Sequence, residues 1–221
     1  MTWLFRLGLL LAVVGAMSSA WPSQAVNRAY APRVAERTFG RGAAPRVLID
    51  EAHVNLHTMG AGLSPFATLL ERDGYRVDAF TAPFSAESLR GCDVLVIVNA
   101  FGLRGWLQHS ANLLGLERRI DLDVRAFAPD EVRAVEAWVR NGGRLLLVAD
   151  DALADEAAAD LASAFGVRLR EWWVEEAEGR DRTTALTHGA GRVVVVGQAP
   201  QGNDDPQAVL DLMHWLSALI S

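Results

Sequence analysis

RVLIDEAHVNLHTMGAGLSPF, residues 46–66, joins two kinds of sequence end to end. Val47, Leu48 and Ile49 make an apolar run that reads as a buried strand. Asp50, Glu51, His53, Asn55 and His57 then fall within eight residues. Gly60 and Gly62 loosen the chain, and Ser64-Pro65 reads as a helix start, with Ser64 as the N-cap and Pro65 at the first helical position. A buried strand that runs straight into clustered titratable groups is where open α/β sheets place their ligand sites.

Working outward, the same alternation of apolar strand and amphipathic helix continues to the C-terminus. Phe66, Leu69 and Leu70 form one helix face to about Asp73, and Gly74 ends that helix. YRVDAF (75–80) alternates as a strand with one partly solvated face, and Ser85 reads as the cap of a short helix through Leu89. DVLVIV (93–98) and RLLLVA (144–149) are continuous apolar runs, the mark of strands covered on both faces. Between them, 99–128 reads as an irregular insertion, with a weak helical pattern from Leu107 to Leu116. Pro129-Asp130-Glu131 opens a helix whose Val132, Val135, Trp138 and Val139 share a face, stopped by Gly142-Gly143. A helix from about Asp155 to Phe165, a short strand over Val167–Leu169, the Trp172-Trp173 segment, a buried strand over Val193–Val196 and a helix from Pro206 to about Ile220 complete the chain. The class is therefore α/β: a flavodoxin-like three-layer sandwich, with a mostly parallel sheet and helices on both faces.

In a flavodoxin-like order the first, third and fourth strands lie side by side, with the second outside. Their C-terminal ends carry Asp50, Glu51, His53, Asn55 and His57, then Asn99, then Asp150 and Asp151. These eight residues are the candidate crevice. Close carboxylates must be protonated, hydrogen-bonded or neutralised by a cation. Imidazole mixed with carboxylate suits Zn, Mn or Fe, so a divalent transition metal on His53, His57, Asp50 and Asp150 is one expectation. The other is that Asp50 and His53 cap backbone amides and brace the loop. His188 is either a further group reaching the crevice from a later loop or simply an exposed loop histidine, whereas His109 and His214 fall outside the crevice. No Gly-x-Ser-x-Gly elbow or Gly-x-Gly-x-x-Gly fingerprint is present.

Composition narrows the function classes. At 221 residues the chain fits one well-buried domain, and 51% hydrophobic with 22% charged residues is ordinary for that class. The net charge of −6 argues against a nucleic-acid partner. All 21 basic residues are Arg, which excludes a Schiff-base or P-loop lysine. Cys92 is the one cysteine, so neither an intrachain disulfide nor a multi-cysteine zinc site is possible, and it precedes its strand at the end away from the crevice. Residues 1–25 carry Arg6, an apolar core over 7–17 and small-x-small triplets at 18–20 and 23–25, the layout of a signal peptide. That core is shorter than the ~20 residues of a spanning helix. The expected organisation is a signal peptide over 1–25, a linker over 26–45 and one α/β domain over 46–221, exported to the periplasm or secreted. Membrane contact would come only through an uncleaved signal segment.

VLIDEAHVNLHT, SPFATLLERDGYRV, VIVNA, AFAPDEVRAVEAWVRNGGRLLLVADD, AAADLASAFGV and NDDPQAVLDLMHWLSALI together resemble a family of exported bacterial proteins. That family carries a domain of unknown function placed in the class I glutamine amidotransferase-like superfamily. The resemblance covers about residues 45–220 and rests on the DEAHxNxH and WVxxGGxLLLxAD runs. It implies the amidotransferase-like sheet, but the turn that would bear a cysteine nucleophile holds Asp150-Asp151, which argues against glutamine hydrolysis. Members often read Ala-Asp-His where this chain reads Ala149-Asp150-Asp151. Related domains also sit beside membrane transport machinery as binding modules.

Three functions follow as expectations: an exported binding or transport-accessory module taking a small molecule or an envelope or transport protein, a metal-dependent hydrolase using Asp50, Glu51, His53, His57 and Asp150, or a structural envelope protein. Export has its own check. Intact-mass measurement of the mature protein is expected to place the N-terminus near Trp21 or Val26; a soluble cytoplasmic form retaining Met1 contradicts it.

Overall fold

The computed structural model describes residues 30–32, 34, 36–40, 44–113, 124–150, 152–169, 183–197 and 205–217. The expected signal peptide, Asp151 and the Trp172-Trp173 segment lie outside these. Among the described residues six strands form one sheet: β1 (Arg46–Asp50), β2 (Arg76–Phe80), β3 (Val94–Val98), β4 (Arg144–Val148), β5 (Thr183–His188) and β6 (Gly191–Val196). Their spatial order is β2-β1-β3-β4-β6-β5. Every pairing is parallel except β5 with β6, which is antiparallel. This is the flavodoxin-like order with one antiparallel strand added at the edge, and its switch point falls between β1 and β3.

The helices are α1 (Ser64–Asp73), α2 (Gly102–Leu113), α3 (Pro129–Arg140), α4 (Ala152–Ala164) and α5 (Pro206–Leu216). Strand alternation sends Val47, Ile49, Val94, Val96, Leu146 and Val194 to one face, where Phe66, Leu69 and Leu70 of α1 and Leu210, Met213 and Leu216 of α5 cover them. Leu48, Leu95, Ile97, Leu145, Leu147, Val193 and Val195 point the other way, against Val135 and Val139 of α3 and Ala154, Ala158 and Leu161 of α4. Each such side chain contributes roughly 1.5–3 kcal/mol on burial, so the apolar strands are held from both sides. None of the described helices is long and apolar enough to cross a membrane.

Several local expectations are corrected. Ser64 does not cap α1: Leu63 occupies the cap position without a side-chain hydrogen bond, and the Ser64 hydroxyl is buried without a partner. Residues 85–91 make successive turns rather than a helix, with the Ser88 amide bonded to Ser85 Oγ at 3.0 Å. The weak pattern after Asn99 is a real helix, α2, which begins earlier than read, at Gly102. Gly102 has φ +62°, and a Cβ there would lie 3.0 Å from Ala126 Cα. Packing against the 125–126 backbone therefore starts a helix that local propensity marks poorly.

Val167–Leu169 is not a strand; β6 pairs instead with TTALTH over Thr183–His188. That edge strand hides because its alternate residues are only half-buried, so it carries no apolar run. The expected linker also packs in part, since Phe39 is buried in the α1/α5 layer.

Candidate functional site

Asp50 closes β1 on the side facing α3, and it is fully buried. Its Oδ1 accepts from the Ala52 amide at 3.1 Å, which turns the chain sharply as it leaves the strand. His53 follows, 7% exposed, with its ring between Phe84 and Phe127 at centroid distances of 4.5 and 4.9 Å. Its Nδ1 lies 2.9 and 3.0 Å from the two Asp50 oxygens. Its Nε2 lies 3.0 Å from Glu131 Oε1, in the first turn of α3.

Glu131 is a hub. Besides His53, its Oε1 accepts from the Phe84 amide at 2.9 Å, and its Oε2 accepts from the Ala128 amide at 2.9 Å. The last contact is half of a capping box, with Glu at the third helical position. Asn55 completes the cluster: its Nδ2 donates to Asp50 Oδ2 at 2.9 Å and to the Val98 carbonyl at 3.3 Å, and its Oδ1 accepts from the His53 amide at 3.1 Å.

The loop after β1 crosses the switch point and seats on the turn after β3. The Gly102 amide donates to His53 O at 2.8 Å, the Leu56 amide to Asn99 O at 3.0 Å, and Asn55 bridges Ala100. Asn99 is fully buried at φ +45° and clasps the next strand end, donating to Asp150 Oδ1 at 2.6 Å and accepting from the Asp150 amide at 3.0 Å. Glu51 turns inward on its own loop, where Oε1 accepts from the Met59 amide at 2.7 Å. His57 is buried in the same loop.

The carboxyl ends of β1, β3 and β4 thus bring together Asp50, His53, Asn55, Asn99 and Asp150 in one polar seam. Glu131 joins it from the helix layer. Sequence reasoning marks Glu131 as an acidic helix start but not as the partner of an imidazole eighty residues away in round terms. His188 is not in the seam. It sits at the opposite end of the sheet, paired with Gly191 in the hairpin register, with Nε2 2.5 Å from Glu136 Oε1.

The electrostatics follow from the geometry. A neutral imidazole has one N–H and one lone pair, so it satisfies one carboxylate and repels the other. Burial works to lower the His53 pKa, but the hydrogen bonds and charges of Asp50 and then Glu131 outweigh it and raise the group above 6.5. For Glu131, burial works upward, while the Ala128 amide and His53 bring its carboxyl below 4.5. Both ring nitrogens of His53 are thus engaged by protein carboxylates. Among the described residues no three His, Cys, Asp or Glu side chains are placed to hold an ion, and His53, His57, Asp50 and Asp150 form no such group. Cys92 is buried at the far end of the sheet, its thiol pushed up to about 12 by burial and by the charge of Asp93.

No family model matches the chain, and no curated protein matches it. A ThuA-like protein from Bacteroides uniformis is similar over 55% of this chain at 21% identity with a TM-score of 0.31. The chain spans about 40% of that protein's length. A cytoplasmic protein of Salmonella typhimurium LT2 is similar over 79% of this chain and 98% of its own, at 16% identity and a TM-score of 0.43. A second Salmonella typhimurium cytoplasmic protein covers 66% of this chain and 59% of its own, at 18% identity and a TM-score of 0.31.

The pH dependence of stability has a definite sign. A raised His53 pKa contributes stability fully present below pH 6.5 and lost as pH rises through the folded value. A lowered Glu131 pKa contributes stability present above 4.5 and lost as pH falls through the folded value. His53→Ala is therefore expected to cost about 3–5 kcal/mol near pH 6, because it leaves buried carboxylates unpaired. Denaturant melts of wild type and variant should draw closer as the pH rises through the folded His53 value, leaving the packing of the ring against Phe84 and Phe127 as the residual difference.

Proposed function

We propose that this chain is an exported binding or transport-accessory module that retains the amidotransferase-like sheet without amidotransferase chemistry. The observation that carries this reading is the double engagement of His53, one ring nitrogen on Asp50 and the other on Glu131. A general base needs a ring nitrogen open to substrate, and both His53 nitrogens are already engaged by carboxylates of the protein. The turn after β4 supports the same view, since Asn99 holds Asp150 where a cysteine elbow would stand. The one thiol of the chain lies at the other end of the sheet, held protonated by burial.

The rim outside the seam has a different character. Val54 and Leu103 are 38% and 68% exposed, the exposed large apolar side chains among the described residues. They follow directly on His53 and Gly102, whose backbones are hydrogen-bonded to each other. The seam thus fixes two apolar side chains at the edge where open α/β sheets meet ligands. A rigid, mostly self-satisfied rim with apolar outposts suits docking of a small molecule or an envelope protein better than turnover.

Protein purified without chelator or affinity tag is expected to carry substoichiometric transition metal and to release no ammonia from glutamine. One equivalent of metal, lost in a His53→Ala/His57→Ala double variant that still folds, overturns this reading in favour of a metal-dependent hydrolase.

A further inference from the structure

At the opposite end of the sheet, a second buried carboxylate ties the segment before β1 to the last helix. Asp73, the final residue of α1, is 1% exposed. Its Oδ1 accepts from the Thr38 amide at 3.1 Å and the Thr38 hydroxyl at 2.7 Å. Its Oδ2 lies 2.7 Å from His214 Nε2 on α5, and that nitrogen is also 3.2 Å from Thr38 Oγ1. All three side-chain contacts of this carboxylate come from outside its own helix.

The segment is seated closely. The Phe39 amide donates to Asp73 O at 3.1 Å, and Arg72 Nη1 donates to Pro32 O at 2.7 Å. The Phe39 ring meets Tyr75 edge-on at 4.7 Å, and Tyr75 Oη in turn pairs with Ser217 Oγ at the end of α5 at 3.0 Å. Gly74 takes φ +110°, and a Cβ there would collide with the Phe39 carbonyl oxygen, so the two backbones touch. Two routes therefore run from this segment to α5: Thr38–Asp73–His214 and Phe39–Tyr75–Ser217.

A buried carboxylate stripped of part of its donors is costly, and groups sharing one acceptor do not contribute additively. Removing the Thr38 hydroxyl leaves Asp73 with only the Thr38 amide and His214, and favours drawing water into the joint between α1 and α5. We propose that residues 36–40 are a latch for α5: seated on Asp73 they hold the last helix on the sheet, and lifted they loosen it. Release would uncover Leu146, Val148 and Val194, the strand residues of the layer that Leu210, Met213 and Leu216 help to cover. The helices α3 and α4, on the other face, are outside this coupling. An event that pulls or binds the chain before β1 is thereby transmitted to the C-terminal helix.

Hydrogen exchange on the full chain tests the latch with Thr38→Val, which removes the hydroxyl at nearly constant size. Amides 209–216 are expected to exchange about tenfold faster, with α3 and α4 amides unchanged. The melting shifts of Thr38→Val and His214→Gln should also combine to less than their sum. Unchanged α5 exchange while the Phe39 amide loses protection overturns the latch, as do additive shifts or equal loosening of both faces. If Thr38→Val leaves the segment seated, Phe39→Ala removes its aromatic anchor and is judged by the same outcomes.

Discussion

A single buried imidazole held between two carboxylates is the constraint on which the carboxyl edge of this sheet depends. Burying an ionised group unpaired costs several kcal/mol, and a paired group whose partner is removed is left worse off than an apolar replacement. Asp50 is fully buried and Glu131 largely so, and His53 sits between them in an aromatic sleeve of Phe84 and Phe127. A doubly protonated ring can donate to both acids, whereas a neutral one satisfies only one of them. Through Glu131 the ring also fixes the first turn of α3 and the Phe84 backbone, so three segments distant in sequence share one charge balance.

The same edge contains both non-glycine residues at positive φ among those described, Val54 at +54° and Asn99 at +45°. A left-handed β-branched residue costs roughly 1–3 kcal/mol and persists only where its surroundings over-determine it. The hydrogen bonds on each side of Val54, from Gly102 to His53 O and from Leu56 to Asn99 O, supply that determination. Asn99 is held by its two bonds with Asp150. Bracing and strain thus belong to one arrangement: the loop is forced across the switch point, and Val54 is left facing solvent.

Much of the sheet can be read from residues alone. The runs at 47–49, 94–98, 145–148 and 193–195 are apolar without interruption because each is covered on both faces, and that signal is local. Thr183–His188 is an edge strand with one neighbour, so its residues need not be apolar and its identity comes from pairing with β6. Helix α2 is anchored by contact with residues 125–126, which no window around Gly102 contains. At the site, Asp50, His53 and Asn55 stand within one turn of chain and are visible as a cluster. Glu131 is not, because its role depends on a helix from the next crossover arriving over the loop. The Thr38–Asp73–His214 joint is illegible for the same reason, being made by the two ends of the domain.

Hydrogen bonds from His53 to both Asp50 and Glu131 require a proton on each ring nitrogen. Nitrogen-15 NMR of the His53 ring observes this directly. At pH 6 both Nδ1 and Nε2 are predicted to show imidazolium shifts and attached protons, with a titration midpoint above the ordinary 6.5. A neutral tautomer at pH 6, with one bare nitrogen and a midpoint below 6.5, would contradict the bracing role and reopen His53 as a base or ligand.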